Sequence, residues 1–357
     1  VLWELTLRAY GIAPQHRGIS PFSFHFLDVA MPDTTRHILA ADIGGTSSRF
    51  GCFLAQGDAL TLEASLVLPT AGAASFTELV RQAVALQPGL DPARMDAAAF
   101  AVPGAVRGRR TVLLPNITWP AHWDEMQAAV GTARLVLLND FAAQAHAVVT
   151  PALQDAELLK PGDAYAPGPV AVTGAGTGLG NCALLPLEAG GWTVVPAELG
   201  HAPFPFVGRE EFDYQAFVMD RLDVGYPIGD HVVSGGGLAL LHEFLSGEAV
   251  SPPEASARLD STPRVAEWFA RFYGRACRQY ALAVVASGGV VVAGGVAAKT
   301  PALVRHPAFL QEFLNCPTQR PLLEAMPIRR NENELSGLWG AAHAGWQACS
   351  RPAGPPA

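Results

Sequence analysis

Basic charge is scarce in this chain. Lys and Arg number 24 against 32 Asp and Glu, a formal net charge of −8 over 357 residues. No segment gathers cations into a face that could hold a nucleic acid or an anionic membrane surface, so both are excluded as partners. Cysteine is scarce too. Cys52, Cys182, Cys277, Cys316 and Cys349 are odd in number and widely spaced, with no CxxC pair and no Cys/His cluster. That pattern excludes a zinc finger or a disulfide framework and fits reduced thiols in a cytoplasmic protein. Uninterrupted apolar runs of membrane-spanning length are missing as well. Residues 279–298 carry no charge, but Gly288-Gly289 and Gly294-Gly295 cut them into a helix end, a short buried strand and a turn.

What remains is a chain half hydrophobic, long enough to bury a large core and to divide into two domains. Residues 1–35 have no clean period and no apolar stretch of signal-peptide length, which sets them apart as an N-terminal extension and makes Met31 a candidate natural start. Beyond them the pattern predicts strands at 38–41, 49–54 and 60–67, a helix capped by Ser75, strands at 98–102 and 111–114, a helix at 123–130 and a strand at 134–138. The Pro/Gly-rich stretch 161–169 reads as a linker or a domain entrance. After it come strands at 170–173, 181–185 and 192–195, helices at 210–222, 238–245 and 264–286, a strand at 290–293, and helices at 301–314 and 335–348. Each half opens with a strand, a glycine turn and a strand. This predicts a duplicated α/β protein with mixed sheets: a small domain of 36–150 plus 334–357, a large domain of 151–333, and an interdomain cleft.

Six stretches carry chemistry. Asp42-Ile43-Gly44-Gly45-Thr46 and Gly174-Ala175-Gly176-Thr177-Gly178-Leu179-Gly180 are glycine turns between strands, where backbone N–H groups can approach an anion. The first is equally readable as an ordinary hairpin tip. The second holds more glycine than a tight turn requires. Glu198-Leu199-Gly200-His201 lies between Pro196 and Pro203, so it reads as a rigid loop whose carboxylate and imidazole suit adjacent hydroxyls. Ser234-Gly235-Gly236-Gly237 opens a helix and Ala293-Gly294-Gly295 ends a strand; each is a turn that also suits close approach by a flat nucleoside. Asn139-Asp140 follows a buried strand, where ligands of α/β proteins sit, although Asp140 alone reads as the N-cap of a helix starting near Phe141. Neither a dinucleotide fingerprint nor a Walker A loop is complete; Ala298 stands where the latter needs glycine.

In this order, and together with Asn116-Ile117-Thr118-Trp119, these motifs resemble those of bacterial glucokinases, over residues from about 38 to 348. The resemblance implies an actin-like ATPase (ribonuclease H-like) fold and an ATP-dependent, cytoplasmic, homodimeric enzyme that phosphorylates glucose at its 6-hydroxyl for glycolysis. It implies Asp140 as general base, with Asn139, Glu198 and His201 binding sugar hydroxyls. It further implies Gly44, Gly45, Thr46, Gly174, Gly176, Thr177 and Gly178 around the ATP phosphates, and Ser234, Gly235, Gly236, Gly294 and Gly295 around adenosine. Asp42 would reach Mg2+ through water. The chain departs from the family at Asp230, where a sugar-binding Glu is expected, and at Ser47-Ser48 in place of Asn-Ala. The shorter Asp230 leaves room for a kinase of mannose, fructose or N-acetylglucosamine. A non-catalytic sugar sensor on the same fold is the alternative of a different class; it would carry a helix-turn-helix and a basic surface, and residues 1–35 show neither.

Overall fold

A computed structural model describes residues 35–350 apart from 58, 105, 108–109, 112–116, 118, 120–121, 132–133, 164–166 and 189–190. The N-terminal extension 1–34, most of the expected strand 111–114, Asn116 and Thr118, and the tail 351–357 lie outside the described residues.

The first sheet is built from β1 (Arg36–Ile43), β2 (Ser47–Gln56), β3 (Ala59–Pro69), β4 (Ala97–Val102) and, after the two-residue ladder of β5 (Val106–Arg107) and β6 (Arg110–Thr111), β7 (Leu135–Asn139). Its helices are α1 (Phe76–Leu86), α2 (Trp123–Val130) and α3 (Asp140–Ala147). The second sheet comprises β8 (Glu157–Lys160), β9 (Val170–Ala175), β10 (Leu179–Pro186), β11 (Trp192–Ala197), β12 (Gly289–Ala293) and β13 (Ile328–Arg330). Between and after these strands run α4 (Arg209–Leu222), α5 (Gly229–Val232), α6 (Gly235–Ser246), α7 (Pro252–Ala257), α8 (Pro263–Ala283), α9 (Gly294–Lys299), α10 (Pro301–Arg305), α11 (Pro307–Phe313), α12 (Arg320–Ala325) and α13 (Ser336–Ser350).

The two sheets share one topology. In the first the order is β3-β2-β1-β4-β7, with β1, β4 and β7 parallel and the β1–β2–β3 meander antiparallel. In the second, β11-β10-β9-β12-β13 repeats both order and sense, and β8 adds an antiparallel edge. The duplication read from two glycine hairpins is therefore present strand for strand. β4 is buried at every position and so is β12, as expected of central parallel strands covered on both faces. Ser75 caps α1 through its side chain, accepting from Glu78 N–H.

Three apolar clusters hold this together. One places α1 and α2 on the outer face of the first sheet and includes Trp119. A second covers the second sheet with α6, α8 and α11. The third lies between the sheets, where alanines of α3 and α13 meet β1 and β4 on one side and β9, β10 and β12 on the other. Small residues set that spacing: a Cβ on Gly340 would strike the carbonyl of Ala143. Within this layer His146 and His343 meet Nδ1 to Nδ1 at 3.1 Å, and burial pushes the His343 pKa down to about 3.

Two expectations need correction. Residues 301–314 form two helices, because His306 precedes Pro307 and is forced to extended angles, φ −62° and ψ 135°. The supposed linker at 161–169 is docked in part, since Gly162 lies against the backbone at Ala325 and Pro327. Strands β8 and β13, at 4 and 3 residues, were too short to register as a period.

Candidate active site

The carboxyl ends of β1, β4, β7, β9 and β12 open onto one cavity of about 500 Å³, whose walls come from both sheets. Asp42, Gly44, Gly45, Asn139 and Asp140 line it from the first sheet; Gly176, Thr177, Gly178, Glu198, His201, Asp230, Gly294 and Gly295 line it from the second. Thr46, Gly174, Ser234, Gly235 and Gly236 are not on its wall.

The helix cap belongs to Asn139, not Asp140. Asn139 Oδ1 accepts from the N–H groups of Phe141 (2.8 Å) and Ala142 (3.2 Å), while its Nδ2 donates to the carbonyl of Gly104 at 3.0 Å. Asp140 is the first helical residue and also accepts from Phe141 N–H, at 2.9 Å. With the cap supplied by its neighbour, the Asp140 carboxylate is left at the cavity wall. Its pKa is raised to about 6, first by burial and then by the negative charges of Asp42 and Glu198, against the hydrogen bond from Phe141. Such a group is ionised at neutral pH yet basic enough to take a proton.

Asp42 ends β1 and pairs across the hairpin with Arg49. Burial raises its pKa and the Arg49 charge opposes the rise. The turn that follows is stapled from its own sheet: Thr70 N–H donates to the carbonyl of Thr46 at 3.0 Å, and Thr70 Oγ1 donates to the carbonyl of Gly44 at 2.6 Å. Ser48, one of the departures from the family pattern, is buried and meets Thr70 Oγ1 at 2.8 Å, so its hydroxyl serves this staple. Thr46 contributes its carbonyl to the staple.

The second turn closes by Gly176 N–H donating to the carbonyl of Gly178 at 2.8 Å. Gly174 sits inside β9, wedged against Ala293, and supports the turn from behind. Ala293 leads into Gly294, whose φ of +86° is open to glycine and strained for other residues. Ser234 spends its hydroxyl as the cap of α6, donating to the Asp230 carbonyl at 2.6 Å and accepting from Gly237 N–H at 3.0 Å. Gly235 donates to the Gly176 carbonyl at 2.9 Å, so this segment reaches the turn through backbone.

Glu198 precedes a single 3-10 turn (Leu199–His201) that His201 ends, and their side chains stand 3.6 Å apart, Nε2 to Oε2, both well exposed. The β10–β11 register sets Asn181 opposite Ala197, next to Glu198. Asn181 and Gln144 also line the cavity and were missed in the sequence. Gln144 lies one helical turn beyond Asp140, a spacing that exposes it to the same space. Its Oε1 accepts from Asn331 (3.1 Å) and Ser336 (2.8 Å), which fixes the amide. Phe141 reaches across to the second sheet, its ring filling the place a Cβ on Gly180 would take.

A profile of the Glucokinase family matches residues 39–348. The chain belongs to the glucokinase family. Similar proteins include the glucokinase of Brucella suis biovar 1, 32% identical over 318 residues that cover 85% of this chain and 89% of that protein. Among solved structures, a glucokinase from an Antarctic psychrotroph superposes with a TM-score of 0.75 at 24% identity, covering 87% of this chain and 99% of its own. A ROK family glucokinase from Streptomyces griseus in complex with glucose and AMPPNP gives 0.58 at 18% identity, with 87% and 99% covered. The last two speak for the fold. Within the glucokinase family motifs, Asn139, Asp140, Glu198 and His201 converge on one cavity wall, whereas Ser234 to Gly236 stand behind it.

Proposed function

We propose that this glucokinase family member transfers the γ-phosphoryl group of ATP to the 6-hydroxyl of D-glucose, giving glucose 6-phosphate for glycolysis. One observation carries the reading: a carboxylate with a pKa of about 6, Asp140, shares a cavity with a Glu–His pair and glycine turns from both sheets. Glu198, His201 and Asn139, whose Nδ2 has a second hydrogen to offer, hold the sugar hydroxyls; Asp230 faces the same space. Asp140 takes the 6-hydroxyl proton as the oxygen attacks the γ-phosphorus in line, and the bond to the ADP oxygen breaks. The backbone N–H groups of the Gly44–Thr46 and Gly176–Gly178 turns receive the phosphates, and the Gly294-Gly295 turn with the Ser234–Gly236 segment behind it frames adenosine.

The residues fit a magnesium ion. Among the described residues no cluster of three His, Cys, Asp or Glu forms a cage, and Mg2+ bound with ATP needs one or two carboxylates beside water and phosphate oxygens. Asp42, desolvated at the cavity wall, is that carboxylate, acting through water. When bound, the ion neutralises charge on the phosphates.

We place this chemistry in an actin-like ATPase (ribonuclease H-like) fold, with a small domain of 36–150 plus 334–357, a large domain of 151–333 and an interdomain cleft that closes on sugar to exclude water. The repeated strand order and the cavity walls drawn from both sheets support that division. No helix among the described residues is long and apolar enough to cross a membrane. We place the enzyme in the cytoplasm as a homodimer, to be checked by sedimentation. A coupled assay with Mg-ATP against glucose, mannose, fructose and N-acetylglucosamine tests the reading. Selective turnover of glucose is expected; turnover of another hexose reassigns the substrate, and sugar binding without turnover makes the chain a sensor.

A further inference from the structure

Asp230 does two things at once. Its Oδ1 accepts from the backbone N–H of Leu179 at 2.7 Å, at the exit of the Gly176–Gly178 turn. From the described residues no hydrogen bond reaches Oδ2, and the residue lies on the cavity wall. The carboxylate is seated between two glycines. A Cβ on Gly178 would come within 2.7 Å of Oδ2, and one on Gly200 would strike Oδ1. Gly178 belongs to the glycine turn and Gly200 to the Glu198–His201 loop.

The backbone around Asp230 repeats the connection. On one side, Gly229 N–H donates to the Ala202 carbonyl at 3.1 Å, Phe204 N–H to the Pro227 carbonyl at 3.0 Å, and Pro203 bridges Ile228. These bonds tie 227–229 to the Glu198–His201 loop. On the other side, the Asp230 carbonyl accepts from Ser234 Oγ, and Gly235 N–H donates to the Gly176 carbonyl. Residues 227–235 thus form a bracket joined to both turns, and Asp230 is the side chain that spans it.

We infer that Asp230 is a positioning residue that couples the sugar-side loop to the phosphate-side turn, with Oδ1 fixing the Leu179 amide and Oδ2 available to the sugar. This rests on the kinase reading for what occupies each side. It also accounts for the departure from the family pattern: one carboxylate oxygen is committed to the glycine turn, and the carboxylate fits where two glycines make space for it. Sugar held on Oδ2 steadies the carboxylate, the carboxylate steadies the turn, and nucleotide affinity rises with sugar bound.

The test separates the two oxygens. Asp230→Asn keeps an acceptor for Leu179 N–H; Asp230→Ala removes it. Calorimetric titration of the full chain with Mg-AMPPNP, with and without glucose, is the readout. Asp230→Asn is expected to hold nucleotide within about threefold of the unaltered chain, and Asp230→Ala to weaken it about tenfold, as loss of a partner for a fixed N–H implies. The tightening of nucleotide by glucose disappears in Asp230→Ala. Gly178→Ala, which crowds Oδ2 and leaves Asp230 in place, is the second variant should Asp230→Ala not fold; because Gly178 itself faces the phosphates, its readout is the tightening of nucleotide by glucose, which is expected to disappear. Equal losses in Asn and Ala, unaltered nucleotide affinity in Ala, or a tightening by glucose that survives in Gly178→Ala, overturn the coupling. The Asn/Ala split between the variants, together with an unaltered chain that never turns over glucose, fails the kinase reading alone.

Discussion

The two glycine turns occupy equivalent places in equivalent sheets and are supported in opposite ways. The turn after β1 is fastened by Thr70, Thr46 and Ser48, all from one meander within about 25 residues of chain. The turn after β9 is fastened by residues far along the chain: Asp230 on Leu179, Gly235 on Gly176, and Tyr273, whose Oη accepts from Ala175 N–H at 3.0 Å and donates to the Ala293 carbonyl at 3.2 Å. A locally stapled turn is rigid whatever the rest of the site does. One held from α5, α6 and α8 moves when they move, so it can respond to what fills the cavity. The same division runs through the charge. Asp42 and Asp140, both desolvated, project from the first sheet, and the second supplies backbone donors, the Asp230 carboxylate and an exposed Glu–His pair.

The largest effect expected from breaking this division is at Asp140. Asp140→Asn should lower kcat by about a thousandfold with glucose binding nearly intact, as loss of a positioned base implies. It should also raise the Tm at pH 7 to 8. The folded pKa of about 6 lies above the ordinary carboxylate value of 3.8, so above pH 6 the ionised group opposes folding, and that opposition fades as pH falls toward 4. By the same shift, kcat/KM for glucose in the unaltered chain should fall as pH drops through about 6, in a pH–rate profile.

Smaller effects probe the supports themselves. Gly180→Ala forces the Phe141 ring away from β10 and should cost about 1–3 kcal/mol in denaturant unfolding, as overpacking does. Thr70→Val, which strips the local staple of its hydroxyl, and Tyr273→Phe, which strips the distant one, should each cost about 1–2 kcal/mol. If the turns are independently supported, the double variant is additive within about 0.5 kcal/mol. A larger coupling energy would break the contrast drawn above. An effect confined to acid lies outside the turns. His343 is held neutral, with its pKa near 3 against an ordinary value of 6.5, so its burial costs stability progressively as pH falls from 6.5 toward 3. His343→Leu should flatten that limb of a Tm-against-pH curve.

Much of this was legible in the chain. Strand and helix periods located both meanders, α1, α2 and α8 to within a few residues, because each presents several buried positions at a fixed spacing. Asp140 was found from its place at a strand end. Its cap was misread because Asn139 and Asp140 are both good caps, and which side chain folds back on the Phe141 and Ala142 amides depends on backbone angles at one residue. That the Ser234 hydroxyl is taken up as the cap of α6 could not be read from its position alone. Gln144 and Asn181 left no motif, since a polar residue in a helix or strand counts only when the surface it faces is known.

The sequence alone determined the duplicated α/β architecture and the place of the glycine turns. It did so because apolar period, glycine and strand-end position are local properties. The tertiary structure decided how the groups of the site are held. Long-range hydrogen bonds assign one Asp230 oxygen to Leu179, and burial of Asp140 together with the nearby charges of Asp42 and Glu198 raises its pKa. Neither could be read from spacing, because both depend on distances between residues that only folding brings together.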